Sequence, residues 1–194
     1  MQTRHIVLAG LAPVLFAGCA TGPTAEQQAR YTEEARAAVN QTLQTLGGEL
    51  KKAIQEGGPV NAISVCKEKA PQIAAAVSEQ HGVKLRRVTT KNRNPKSVPD
   101  AWEAKVLQDF EQRLAKGEPA ASLEYSEVVK DGDTRTFRYM KGLVTQEICM
   151  TCHGTPETIP EAVKAKLATE YPNDRATGYL PNMLRGAASL KKPL

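Results

Sequence analysis

The chain is poor in aromatic residues: Phe, Tyr and Trp make up 5% of its 194 residues. Its most basic run, "LRRVTTKNRNPK" (85–96), contains none of them. Recognition of nucleic acid needs clustered charge together with rings that stack on bases, so the net charge of +5 reads as a solvated basic surface and no nucleic-acid partner is expected. Histidine is scarcer still, with three in all. An apolar run long enough to span a bilayer is also missing. The longest, Ile6–Ala17, is about a dozen residues where a spanning helix needs ~20. No internal repeat and no low-complexity segment occurs. At 41% hydrophobic and 24% charged, the composition fits one globular domain with a modest core.

The short apolar run has its own meaning. Arg4, the run itself and the small residues before Cys19 have the layout of a signal peptide. "LFAGC" resembles a bacterial lipobox, with Phe16 where such signals usually carry Leu. The expected organisation is a lipoprotein signal at 1–18, a polar tether at 19–28 beginning with lipidated Cys19, and one domain at 29–194. The expected location is the periplasmic side of the cell envelope, with membrane attachment through that lipid. Removal of the signal discards His5, leaving His81 and His153.

Export changes the reading of the four cysteines, because spare thiols in an oxidising compartment pair or oxidise. Cys149, Cys152 and His153 form one C-x-x-C-H. A zinc site usually draws on two such knuckles. A thioredoxin-like dithiol sits in a βαβ pattern, which the chain lacks. Covalent haem needs this spacing: each Cys adds across a vinyl group and the adjacent His turns back to the iron. The reading is one haem c, joined through Cys149 and Cys152, with His153 as proximal ligand. A small cytochrome c carries the motif near its start, whereas here 41 residues (194 − 153) follow His153.

For the second axial ligand the residues leave Cys66, His81, Met140, Met183 and a Lys open. Met150 lies inside the motif and cannot reach round the ring. Cys66 falls on an apolar helical face with Ile63, Ala70, Ile73 and Val77, which points it inward. An unpaired thiol in an exported protein is exposed to oxidation, and coordination would protect it.

Elements follow from periodicity. Tyr31, Ala35, Val39, Leu43, Leu46, Leu50 and Ile54 give one face of a helix over 27–56, stopped by "GGP" (57–59). A second helix runs over 60–80, bent at Pro71 and capped by Gly82. A strand is expected at 83–91, then a loop, then a helix opened by an Asp100/Glu103 capping box and ended near Gly117. Residues 123–144 alternate on both sides of "DGD", which reads as a hairpin. A helix over 160–170 precedes an irregular tail. The fold class is α+β with a small antiparallel sheet. Arg86, Arg87, Arg93 and Arg175 are candidates to pair with haem propionates, and Tyr125, Phe137 and Tyr139 to pack on the ring.

Four ordered stretches carry a further likeness: "AISVCKEKAPQIA" (62–74), "RNPKSVPDAWE" (93–103), "CMTCHG" (149–154) and "YPNDRATGY…RGAAS" (171–189). Together they resemble an exported bacterial family of monohaem c-type domains, found as single-domain proteins and as sensor modules of receptors. The likeness covers most of residues 30–190. It implies a PAS-like fold with a long N-terminal helix, and iron held by His153 and the thiolate of Cys66. Asn182 departs from the pattern, standing where Gly is expected, though Asn tolerates left-handed backbone. A thiolate ligand implies a low potential. With both axial positions filled, turnover at the iron is not expected and the protein is not read as an enzyme. The functions implied are electron transfer or redox reporting, with an unidentified redox partner. The alternative is a redox or gas sensor in which Cys66 is displaced and a separate protein is signalled.

Overall fold

The computed structural model describes residues 22–194. Cys19, the signal at 1–18 and the first residues of the tether lie outside them. Among the described residues no helix is long and apolar enough to cross a membrane.

The chain opens with α1 (Ala25–His81), a helical stretch broken by two non-helical residues, Gly57 and Gly58. At Gly58 φ is +72°, a left-handed value that side chains rarely adopt. There the chain doubles back. Gln41 Nε2 donates to Gln80 Oε1 at 2.8 Å, and Gln41 Oε1 lies 2.9 Å from His81 Nε2. The expected pair of helices is therefore present as an antiparallel hairpin. Its start differs from expectation, because helix begins at Ala25 inside the expected tether. Thr24 and Gln27 form a capping box there that satisfies the first free N–H groups. Pro71 does not break the second half, since only the two glycines leave helical dihedrals.

Four strands follow: β1 (Lys84–Val88), β2 (Glu124–Asp131), β3 (Thr134–Val144) and β4 (Leu184–Pro193). They form one antiparallel sheet in the order β1-β4-β3-β2. This corrects the expectation for the tail, whose last residues form an inner strand. "RGAAS" is short of the β-branched residues that mark strands, but its small side chains let both helical layers approach. The remaining helices are α2 (Ala101–Ala115), α3 (Met150–His153) and α4 (Glu161–Glu170). The architecture is α+β, consistent with the PAS-like expectation.

Each face of the sheet has its own core. On one face Ala35, Val39 and Val77 of α1 pack against Leu85, Phe137, Tyr139 and Leu190. On the other, Val106, Leu107 and Phe110 of α2 pack against Val88, Met140 and Ala187. Phe137 and Tyr139 are thus core residues, and Met140 is fully buried under α2, away from the motif. A third cluster joins α4 to the second half of α1 through Ile63, Ile159, Val163, Leu167 and Tyr171, with Cys152 against it. A Lys67–Glu170 ion pair closes that contact. This cluster sets the place of the C-x-x-C-H.

Candidate functional site

Cys149 ends a short 3-10 turn and Cys152 and His153 lie in α3, directly after β3. The chain before and behind this motif is tied down by Thr145, which is fully buried. Its N–H donates to Met183 O at 2.9 Å and its hydroxyl to Leu180 O at 2.6 Å. Asn182 N donates back to Thr145 O at 2.9 Å. Asn182 has φ +65°, so this Asn does adopt the left-handed conformation.

The segment 174–179 then lies along the motif. Gly178 N donates to Gly154 O at 2.7 Å and Tyr179 N to His153 O at 3.0 Å. His153 Nδ1 sits 2.7 Å from Ala176 O, which can only accept, so Nδ1 carries the proton and Nε2 keeps its lone pair. Burial, with Arg185 and Arg93 nearby, pushes the imidazole down to about 2, so the ring is neutral. A neutral His with one nitrogen anchored to a carbonyl is the form that binds metal. Tyr179 stands edge-on to this ring, with centroids 6.3 Å apart.

Arg93 clamps motif and tail together. It donates to Cys152 O at 2.6 Å and, through Nε, to Asp174 Oδ2 at 3.0 Å. Asp174 Oδ1 accepts from Ala176 N at 2.8 Å, completing a path back to His153. Both partners are largely shielded, with side chains 10% and 12% exposed. Gly154 must lack a Cβ, which would run into Met150 O and Thr158 Oγ1.

Cys66 faces this motif from α1. The expectation that it points into the core is corrected: the residue is exposed. The stripe it belongs to is buried at Ile63 and Val77, but only half-buried at Ala70 and Ile73 and open at Cys66. The apolar stripe is thus covered at both ends and bare in the middle. Desolvation by the surrounding chain still pushes the Cys66 thiol up, against the pull of Arg87, Arg93 and Arg185. Cys152 is pushed up by burial as well. The three cysteines among the described residues are free thiols. Among the described residues no three His, Cys, Asp or Glu side chains converge to hold a bare metal ion. The motif also follows a strand of a wholly antiparallel sheet, which is not the thioredoxin setting.

The other candidates are dispersed. His81 is held by Gln41 at the far end of α1 and is half-buried, not solvated. Met183 is exposed, its sulfur 3.2 Å from Leu180 N. Arg86 is taken by buried Glu103 and by the carbonyls of Lys96 and Val98. Arg175 is exposed, and Tyr125 pairs with Trp102 away from the motif. Arg87 is exposed on β1, on the side of Cys66, Tyr179 and Cys149. Sequence reasoning missed Thr145, Asp174, Tyr179 and Arg185. The last three lie in "YPNDRATGY…RGAAS", a motif given above without roles for its members, whereas Thr145 sits outside every motif.

The residues fit a covalent haem. Two thiols at the right spacing and a His with a free Nε2 stand beside the bare part of the apolar stripe that carries Cys66. Arg185 adds a buried Nε without a partner, as expected where an anionic group is to be received.

The fold and site define a single α+β domain built around a C-x-x-C-H seated between a helical hairpin and the end of an antiparallel sheet. A family model described as Tll0287-like matches residues 22–193, and the chain belongs to that family. Among solved structures, that of the cyanobacterial heme-protein Tll0287 is similar at a TM-score of 0.61. Identity is 20%, over 88% of this chain and 97% of that one, and the likeness is one of fold. No curated protein matches the chain.

Proposed function

We propose that the chain is a monohaem c-type protein whose haem is joined through Cys149 and Cys152 and ligated by His153 and Cys66. It acts in electron transfer or redox reporting at the periplasmic side of the cell envelope. The observation that carries this reading is His153, neutral, with Nδ1 fixed on Ala176 O and Nε2 free, beside the C-x-x-C pair of thiols. Membership of the Tll0287-like family and the relationship to a heme-protein support it.

Bound haem supplies a one-electron Fe(III)/Fe(II) couple, which an anionic sulfur ligand shifts to low potential. The chain's residues do the rest. Cys149 and Cys152 fix the ring, and Arg93 and Asp174 hold the backbone on both sides of His153. The neutral imidazole of His153 and the sulfur of Cys66 would hold the iron, and with both protein ligands in place the group would serve as an electron carrier. Lipidation at Cys19 keeps the domain at the membrane, where a separate redox protein meets it.

The test is optical and EPR spectroscopy of the mature protein beside Cys66→Ser. The wild type is expected to show a low-spin ferric haem with thiolate character, and the variant to become high-spin or to take a different ligand. Coincident spectra would remove Cys66 from the iron. A second reading is favoured by the exposure of Cys66: a diatomic gas or reduction displaces the thiolate, and a partner senses the change. Carbon monoxide binding to the ferrous wild type, with loss of the thiolate signature, separates this from a simple carrier.

A further inference from the structure

We propose that Arg185 raises the midpoint potential of the haem above what an imidazole and a thiolate give by themselves. It is a buried guanidinium with no carboxylate to neutralise it, held against the ring that packs on His153. The inference rests on the proposed function and assigns Arg185 a role that neither the motif nor the family match gives.

Arg185 lies near the start of β4, just after the segment that holds His153, and is 6% exposed. Its Nη1 donates to Thr89 Oγ1 at 3.1 Å and to Lys91 O at 3.2 Å, both neutral acceptors. Its Nε has no acceptor. Asp174, which attracts it, is engaged by Arg93 at 2.9 Å. Burial brings the pKa of Arg185 down to about 10, so it stays charged at neutral pH. A buried charge without a partner costs stability, and its place in the fold calls for an explanation.

The guanidinium lies over the ring of Tyr179, with its carbon 5.3 Å from the centroid. That ring is itself buried and nearly perpendicular to the His153 imidazole, with centroids 6.3 Å apart. The Tyr179 N–H donates to His153 O at 3.0 Å, which fixes ring and ligand to one another. Cation, ring and imidazole thus follow one another through shielded protein, where a charge acts more strongly than in water. The neighbouring cations differ. Arg93 is neutralised by Asp174, and Arg87 is exposed. Lys91 stands 5.2 Å from the same ring centroid but is exposed, so water and salt screen it.

Ferric iron, a doubly deprotonated porphyrin and one thiolate sum to no net charge. One electron passed from the redox partner to Fe(III) gives Fe(II) and makes the group anionic. A fixed cation nearby stabilises that reduced form and offsets part of what the thiolate does.

The experiment uses holoprotein matured in a host that attaches c-type haem. It is titrated with dithionite and ferricyanide while the optical spectrum reports the fraction reduced. Wild type, Arg185→Gln, Thr89→Asp and Lys91→Gln are compared. Arg185→Gln removes the charge, and Thr89→Asp neutralises it with a carboxylate in place of the hydroxyl that Arg185 already bonds. The midpoint potential is expected to fall in both and to keep the wild-type value in Lys91→Gln. Ferric spectra are expected to coincide throughout, which shows that the iron ligands are the same. Arg185 is buried, and should its variant fail to fold, Thr89→Asp decides. A midpoint at or above the wild-type value in either haem-loaded variant overturns the assignment while leaving the haem reading intact. An equal fall in Lys91→Gln does the same. A wild type without covalent haem overturns both.

Discussion

At the residue scale, the site depends on small groups that fasten the backbone around His153. Arg93 is the shared bolt, bonded to Cys152 O and to Asp174. Arg93→Gln leaves Asp174 shielded and unpaired, a change that costs about 3 kcal/mol when one partner of a buried pair is removed. The expected outcome is a lower urea midpoint together with a smaller fraction of haem-loaded chain, and an unchanged midpoint would show that the clamp carries no weight. Gly154 is as constrained for a steric reason, since a methyl there meets Met150 O and Thr158 Oγ1. Gly154→Ala is expected to destabilise by roughly 1–3 kcal/mol, as overpacking does, measured by chemical denaturation.

At the element scale, the turn of the α1 hairpin decides where Cys66 lies. Gly58 has φ +72° and ψ −174°, a region essentially reserved to glycine, and an alanine there costs about 1–3 kcal/mol. Gly58→Ala is expected to lower the thermal midpoint, whereas Gly47→Ala, in continuous helix with open space around it, is expected to raise it slightly. Equal effects at the two positions would argue against a hairpin turn. β4 matters as much. It pairs with both β1 and β3 and follows directly on the segment that holds His153, so docking of the motif and closure of the sheet are one event.

At the scale of the whole molecule, two carboxylates away from the site link stability to pH. Burial alone would raise Asp100, but the Glu103 backbone N–H, Arg138 and Lys191 outweigh it and hold the carboxyl well below the usual range. Glu124 is lowered chiefly by Arg36, against burial and with help from the Tyr139 hydroxyl at 2.9 Å. A carboxylate whose folded pKa is depressed contributes stability above its unfolded value, near 4, and loses it as pH falls through the folded one. Stability from these groups is therefore expected to be flat from pH 7 to about 5 and to decline below about 4. Urea titrations across that range check this. Glu124→Gln is expected to be less stable at neutrality and to lose less on acidification than wild type does.

Much of this was legible in the chain itself, because some signals are local. The steps of four along α1, the glycine pair that turns it, the Asp100/Glu103 capping box and the alternation around "DGD" each depend on neighbours a few residues away. The C-x-x-C-H is local for the same reason, its three residues falling within five positions of the chain. What the sequence left undecided was set by partners far apart in it. Apolar spacing placed Cys66 on the inner face of a helix. Only the packing of α4 and the sheet end showed that this stretch of the face is bare. Likewise "RGAAS" lacks the character of a strand and becomes one because β1 and β3 present unpaired backbone on either side. Arg86 and Arg87 are indistinguishable as neighbours in a basic run. Strand alternation turns Arg86 to Glu103 and leaves Arg87 exposed on the other face, and that choice exists only once the sheet has formed.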